Sequence, residues 1–264
     1  MGDYCAAQWA TTLEHNGLGS FDALWQQEIG WVEEPNQRRG GWSGVSRCEL
    51  QLPQGGQVAV YIKRQQNHTY KSLRHPIKGE LTFSREFNNI QLYEQLAIPS
   101  LEVLYFAQRR VGQDRRAILM TAELVGYRSL DLLVDDWQQH GWPERKVLNR
   151  VIYCCADLLG RLNRAHLQHN CLYPKHLFVR LGDGEVDVRV IDLEKTKRKN
   201  RVEDAMLRDL DTLNRHSPLW RRSDRLRFLL AYQGETRLNA SIKMLWFTLE
   251  QRLKTKRIRQ QGAS

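Results

Sequence analysis

Apolar and polar residues alternate through the first half of this chain and recur every three to four positions through the second. From Trp31 the runs WVEEPNQR, GVSRCELQL and VAVYIKR have the composition of strands. RRGGWSG and PQGG separate them as turn signals, so the three predict an antiparallel meander. LEVLYFAQ and RAILMTAE predict two further strands. Between the two groups FSREFNNIQLYEQL reads as a helix with Phe83, Phe87, Ile90, Leu92 and Leu96 on its apolar face, stopped by Pro99. HTYKSLRHPIKGEL is polar and basic without a clear period and reads as a loop, and residues 1–30 read as one or two short helices.

After Val125-Gly126 the period becomes helical. SLDLLVDDWQQ opens with Ser129 as a capping residue, and Pro143 suits the first turn of the long helix ERKVLNRVIYCCADLLGRLNRAHL. Its apolar positions from 147 to 162 hold the helical period for about five turns. LFVRL and VDVRVI flank GDGE as a hairpin, and the chain from 202 onward reads as mostly helical. The predicted fold class is α+β: a helical extension (1–30), an antiparallel sheet with one helix (31–123) and a mainly helical lobe (124–264). That is the layout of a bilobal protein kinase, although many α+β proteins share such an order.

Composition narrows the class. A hydrophobic content of 41% and a charged content of 27% are ordinary for a soluble globular protein. No run approaches the roughly 18 apolar residues of a membrane span. MGDYCAAQWATTLEHNG lacks the basic and apolar regions of a secretory signal, and Ala6 stands where myristoylation needs Ser or Thr. The five cysteines (5, 48, 154, 155 and 171) are odd in number without a C-x-x-C pair, which fits a reducing cytoplasm and argues against disulfides or zinc. Cys154 and Cys155 fall in the apolar helical run and read as core. Forty Lys and Arg against 30 Asp and Glu leave a net charge of +10, partly concentrated in KTKRKNR (195–201) and RLKTKRIR (252–259). Solvated surface explains most such runs, and charge alone does not choose among nucleic acid, acidic lipid and phosphorylated glycan. A nucleic-acid partner ranks last, since no helix-turn-helix or aromatic-basic RNA motif accompanies the charge.

Several weak signals then fall in a meaningful order. In GGWSG, Gly41 and Gly44 keep the second and third glycines of G-x-G-x-x-G-x-V, while Arg39 replaces the first. Glycines there let backbone N–H groups approach phosphate oxygens, although an ordinary Gly-rich turn reads the same way. VYIKR places Lys63 on the third strand, where an ammonium can meet the α- and β-phosphates if a carboxylate holds it, and Glu86 in SREF is that candidate. HNCLYPKHLF (169–178) resembles the catalytic loop H-R-D-x-x-x-x-N, with Cys171 at the aspartate and His176 at the asparagine. VIDLE then gives Asp192 after a strand, placed to ligate a Mg²⁺ that bridges nucleotide phosphates, though turn aspartates after strands are common.

H-x-x-x-Y-x-x-H (His169, Tyr173, His176), IDLE (191–194), RDLDTLNR (208–215), DRLRFLLAY (224–232) and SREFNNIQLYEQLAIPS (84–100) resemble the bacterial lipopolysaccharide kinases of the Kdo/WaaP/InaA group, and the InaA-like branch most. The resemblance runs from about 31 to 232. It implies a protein-kinase-like fold that transfers the γ-phosphate of ATP to a heptose or Kdo of the lipopolysaccharide inner core, at the cytoplasmic face of the inner membrane. It implies Lys63 and Glu86 as the phosphate-holding pair, with Gly41, Gly44 and Glu123 beside them in the ATP site. Asp192 and His176 take the metal side, and His169, Cys171, Lys175 and Asp192 the catalytic positions.

The departure from the family is Cys171, where better-understood members resemble H-x-D-x-Y-x-x-H. A thiol with an ordinary pKa of about 8.5 is mostly protonated at pH 7 and does not accept a proton as a carboxylate does. Phosphoryl transfer has a loose transition state, so losing a base costs about 10²–10⁴ in rate rather than all of it. Lys175 stands where tyrosine kinases carry an arginine that contacts the γ-phosphate. Two readings follow: a sugar kinase, or a pseudokinase that binds nucleotide as a scaffold. A peripheral contact with an anionic inner-membrane surface is a further expectation, carried by Met244, Leu245, Leu249 and Leu253 beside the basic run of 252–259.

Overall fold

Strand-forming residues dominate the first 125 positions, and most of them build one antiparallel sheet. The computed structural model describes residues 2–38, 40–71, 77, 79–182 and 184–261, with only the backbone at 257 and 259–261. Arg39 lies outside the described residues. The chain divides into two compact units, Met1–Leu92 with Leu101–Val125, and Tyr93–Ser100 with Gly126–Ser264.

The first unit begins with β1 (Tyr4–Cys5), α1 (Ala7–His15) and α2 (Phe21–Trp25). There follow β2 (Asn36–Arg38), β3 (Gly41–Gln51), β4 (Gln57–Gln66), β5 (Thr69–Tyr70), β6 (Glu80–Leu81), α3 (Thr82–Gln95), β7 (Val103–Val111) and β8 (Asp114–Ala122). Sheet order is β1-β7-β8-β4-β3-β2, every pair antiparallel. The meander and the two later strands are as expected. The sheet gains a sixth strand from the N-terminal extension, which the sequence reading gave only helices. The basic loop is also not wholly irregular, because its ends pair as β5 and β6.

Successive residues of a strand face opposite sides of the sheet, and β4 uses both. Val60, Ile62 and Arg64 lie on the side covered by α1 and α2, with Leu13, Leu18, Phe21 and Leu24 packed against Leu50, Ile118 and Met120. Leu13 and Leu24 are fully buried, worth about 1.5–3 kcal/mol each, so the extension is core rather than tail. Buried Arg64 ties it down further. Its guanidinium donates to the carbonyls of Trp25 (3.1 Å) and Gln27 (2.6 Å) and lies 4.7 Å from the centre of the Trp31 ring. Lys63 has the opposite parity and faces the other side.

On α3, Phe83, Phe87 and Ile90 are buried as expected, and Phe87 stacks on Phe106 at 4.2 Å. The remainder of the predicted face is corrected. Tyr93 takes the buried position, Leu92 is half-buried and Leu96 is 40% exposed. The helix ends at Gln95 and Ala97 turns left-handed at φ 52°, so the period does not reach Leu96.

The second unit holds β9 (Arg128–Ser129), α4 (Leu130–His140), α5 (Arg145–Arg164) and β10 (Leu167–Gln168). A 3-10 turn (Pro174–His176), the hairpin β11 (Leu177–Gly182) and β12 (Glu185–Val190), a second 3-10 turn (Leu193–Lys195) and β13 (Lys197–Arg198) follow. The unit closes with α6 (Val202–Arg215), α7 (Arg222–Gln233) and α8 (Ala240–Gln261). α5 buries Leu148, Val151, Ile152, Cys155, Leu158, Leu159 and Leu162, the predicted stripe, while Cys154 is only half-buried. Ser129 sits at the N-cap of α4 but does not cap it, since its hydroxyl donates to Asp131 at 2.6 Å. The predicted α8 face divides: Leu245 and Leu249 are buried, whereas Met244 is 71% exposed. Among the described residues no helix is long and apolar enough to cross a membrane.

Candidate active site

Each unit carries one part of the predicted chemistry. In the first, the Lys63 ammonium lies 2.6 Å from Glu86 Oε1, with 18% and 4% of the two side chains exposed. Strand parity sends Lys63 to the α3 side of β4, and the first turns of α3 return Glu86 to it. A carboxylate this buried is held by its cation, and the cation is thereby fixed in place.

Gly41 and Gly44 lie within β3, and both lack a side chain for local reasons. A Cβ at Gly41 would stand 2.0 Å from the carbonyl oxygen of Gln66, and one at Gly44 2.6 Å from the Trp31 ring. Neither demand involves phosphate. The Glu123 carboxylate accepts from Arg47 Nε (2.8 Å), Arg47 Nη2 (2.9 Å) and the Tyr61 hydroxyl (3.3 Å). Its hydrogen bonds from Arg47 hold it below the usual carboxylate range, so a nucleotide would compete with Arg47 for it.

In the second unit the segment after β10 is held by groups inside the fold. His169 is fully buried, and Nε2–H donates to the Ile191 carbonyl at 2.9 Å, leaving Nδ1 without a partner. Burial pushes its pKa down to about 4, so the ring is neutral at pH 7. Asp209 of α6 accepts the backbone N–H groups of His169 (2.8 Å) and Asn170 (2.9 Å) and the side-chain amide of Asn163 (3.1 Å). Asn163 in turn accepts from the Tyr232 hydroxyl at 2.8 Å. Burial pushes Asp209 up to about 6, opposed by those three donors. RDLDTLNR carries part of the family resemblance, but no role was expected of Asp209 within it. The available signal was a carboxylate on the buried face of an amphipathic helix, where a charge persists only if the fold supplies donors.

His176 Nδ1–H donates to the Cys171 carbonyl at 2.8 Å, and burial lowers its pKa. Nε2 therefore presents a lone pair, 3.4 Å from Asp192 Oδ2. Two electron-pair donors facing each other fit a cation between them. Among the described residues no cluster of three or more His, Cys, Asp or Glu side chains could hold a metal alone. One carboxylate with one neighbour suits a Mg²⁺ that takes its other ligands from phosphates and water. Asp192 itself is left-handed at φ 61°, a conformation Asp tolerates better than most residues.

Cys171, His176 and Asp192 are thus brought together, and Lys175 is exposed on the 3-10 turn. The ammonium beside the Cys171 thiol belongs instead to Lys195, which the sequence reading placed only in a basic run. Burial opposes the Lys195 charge, and Cys171, Glu194 and Asp192 outweigh it, so its pKa is raised. Elsewhere in this unit Leu130, Ile152, Leu213, Trp220, Phe228 and Trp246 line an apolar hollow, open to solvent, with a cavity volume of about 70 Å³.

The chain is similar to known proteins in sequence and in fold. Residues 22–232 match the model of the lipopolysaccharide kinase (Kdo/WaaP) family. Protein InaA of Escherichia coli (strain K12) is 29% identical over 198 residues, covering 74% of this chain and 87% of that protein. A solved structure, WaaP in complex with acyl carrier protein, is similar with a TM-score of 0.69 at 17% identity, over 97% of this chain and 99% of that one. The fold is therefore protein-kinase-like.

Proposed function

We propose that this chain, which belongs to the lipopolysaccharide kinase (Kdo/WaaP) family, transfers the γ-phosphoryl group of ATP to a heptose or Kdo hydroxyl of the lipopolysaccharide inner core. The observation that carries the reading is the Lys63–Glu86 pair at 2.6 Å, an ammonium fixed by a buried carboxylate on the expected strand and helix. Lys63 takes the α- and β-phosphates, and Asp192 with His176 takes the metal side. Mg²⁺, when bound, neutralises charge on the phosphates. Asp209 and His169 fix the backbone on which Cys171 stands, and act on the reaction only through that position.

The test is transfer of label from γ-labelled ATP to purified core oligosaccharide, with Asp192→Asn as control. Label on the sugar that disappears in the control supports the reading, and no transfer despite Mg·ATP binding refutes it. Cys171 favours a second reading, a pseudokinase that binds nucleotide without transferring phosphate, and that last outcome is its signature. We infer two partners besides the core sugar. The apolar hollow offers a place for the end of the acyl chain of an acyl carrier protein, the partner named for the solved WaaP, and a higher melting temperature with acylated but not unacylated carrier tests this. α8, with Met244 and Phe247 exposed beside Lys243 and Lys254, suits an anionic membrane surface.

A further inference from the structure

Asp192 is followed directly by the 3-10 turn Leu193–Lys195, which sets the Lys195 ammonium beside Cys171 and within electrostatic reach of Asp192, His169 and His176. The nearest carboxylate in ion-pair range among the described residues is Glu194, at 3.7 Å. That separation is long for a charge-assisted hydrogen bond, and 44% of the Lys195 side chain remains exposed. An aspartate at position 171 would set a full negative charge against this ammonium. Cysteine beside it holds the ammonium less firmly than a carboxylate would, so with Glu194 at 3.7 Å the site presents a cation able to take an anion. Lys175, the residue expected to meet the γ-phosphate, is exposed on its own turn.

We propose that Lys195 binds the γ-phosphoryl group of the nucleotide during its transfer. This rests on the phosphotransfer reading above and adds a catalytic residue to it. In the step, the acceptor hydroxyl oxygen bonds to the γ-phosphorus. The bond from that phosphorus to the β,γ-bridging oxygen breaks, and its electron pair leaves on ADP. The hydroxyl proton passes to an oxygen of the transferred group and then to water, so no base is required at position 171. Lys195 offsets the charge spread over the equatorial oxygens, as a fixed cation does in a loose transition state.

The experiment compares Mg·ATP and Mg·ADP binding by calorimetry for the full chain and its Lys195→Gln, Lys195→Met and Lys195→Arg variants. Single-turnover transfer from γ-labelled ATP to purified core oligosaccharide is measured alongside. ADP lacks the γ-phosphoryl group, so its affinity stays unchanged in all three variants. Preference for ATP over ADP falls about tenfold in the Gln and Met variants and is largely recovered by Arg. The single-turnover rate falls about 10²-fold in the two neutral variants. Lys195→Met keeps the alkyl chain, so a packing defect confined to Lys195→Gln is recognised as such. Equal loss of both nucleotides, an unchanged preference, or equal affinity of the wild type for the two overturns the proposal. So does loss of the preference in Lys175→Gln alone. A wild type that binds no Mg·ATP overturns the phosphotransfer reading as well, which separates the two failures.

Discussion

Asp209 and His169 are both fully buried, and their protonation couples the 169–176 segment to pH in opposite directions. Asp209 goes from an ordinary 3.8 to about 6, so its ionised form is disfavoured in the fold. Stability from this group is intact below about 3.8 and falls as pH rises towards 6, by about 3 kcal/mol in all. His169 goes from 6.5 to about 4. Its share is intact above 6.5 and falls as pH drops towards 4, again by about 3 kcal/mol. Between pH 4 and 6 the two slopes nearly cancel.

Single substitutions should therefore expose what the wild type conceals. In Asp209→Asn only the histidine slope remains, and stability relative to wild type climbs by about 3 kcal/mol as pH rises through this window. In His169→Gln the aspartate slope remains, and relative stability falls by a similar amount. The amide that replaces the Asp209 carboxylate also turns its nitrogen towards a backbone donor and loses about 1.5–3 kcal/mol of charge-assisted hydrogen bonding, an offset independent of pH. At pH 7 that loss roughly balances relief of the buried charge, so Asp209→Asn should stay near wild-type stability. Urea denaturation at half-unit steps from pH 4.5 to 7 reads all three curves. Differences from wild type that are flat, or that share one sign in both variants, would refute the reasoning.

Lys63→Met strands the Glu86 carboxylate, which should cost about 3–5 kcal/mol in urea denaturation and abolish Mg·ATP binding in calorimetry; unchanged stability would show that the pair is not buried as described. Gly44→Ala drives a Cβ into the Trp31 ring and should cost about 1–3 kcal/mol with a shift in tryptophan emission, yet cost little beside Trp31→Ala; the same cost in both backgrounds would dispose of the clash. Cys171→Ala should keep most of the phosphotransfer rate, whereas loss of an otherwise robust activity would show that the thiol takes part directly. Binding to anionic vesicles through α8 should weaken as salt rises, at about 1 kcal/mol per nearby Lys or Arg, and binding indifferent to salt would count against it.

Much of this fold was legible because its signals are local. Alternation announced β3 and β4, and a five-turn stripe announced α5. Lys63 and Glu86 could be paired from the order of one strand and one helix. What escaped depends on contacts remote in sequence. β1 is two residues long and exists because the edge of β7 accepts it, and so short a strand has no period to read. Leu96 was placed on the apolar face by its spacing, past the point where the helix ends, while Tyr93, polar at its tip, is buried with its hydroxyl 3.1 Å from Thr196 Oγ1. Lys175 was chosen by its spacing from Cys171, and spacing predicts proximity only along a regular element. Lys195 reaches Cys171 by way of a whole hairpin, which no reading of the loop by itself could supply.

Position 171 can therefore be weighed separately from the frame that holds it. Asp209 grips the N–H groups of residues 169 and 170, His169 grips the Ile191 carbonyl, and His176 grips the Cys171 carbonyl. None of these bonds uses the side chain at 171, so exchanging carboxylate for thiol leaves the segment in place. Two effects then oppose each other. A lost general base costs about 10²–10⁴ in rate, or about 3–5 kcal/mol. A carboxylate absent from beside Lys195 removes an attraction of about 4 kcal/mol, taking charges about 4 Å apart at an effective dielectric constant of about 20. That attraction would otherwise compete with the phosphoryl group for the ammonium. The two magnitudes are alike, so on the proposed phosphotransfer reading a chain with cysteine at 171 and lysine at 195 would retain phosphoryl transfer by charge stabilisation in place of proton abstraction.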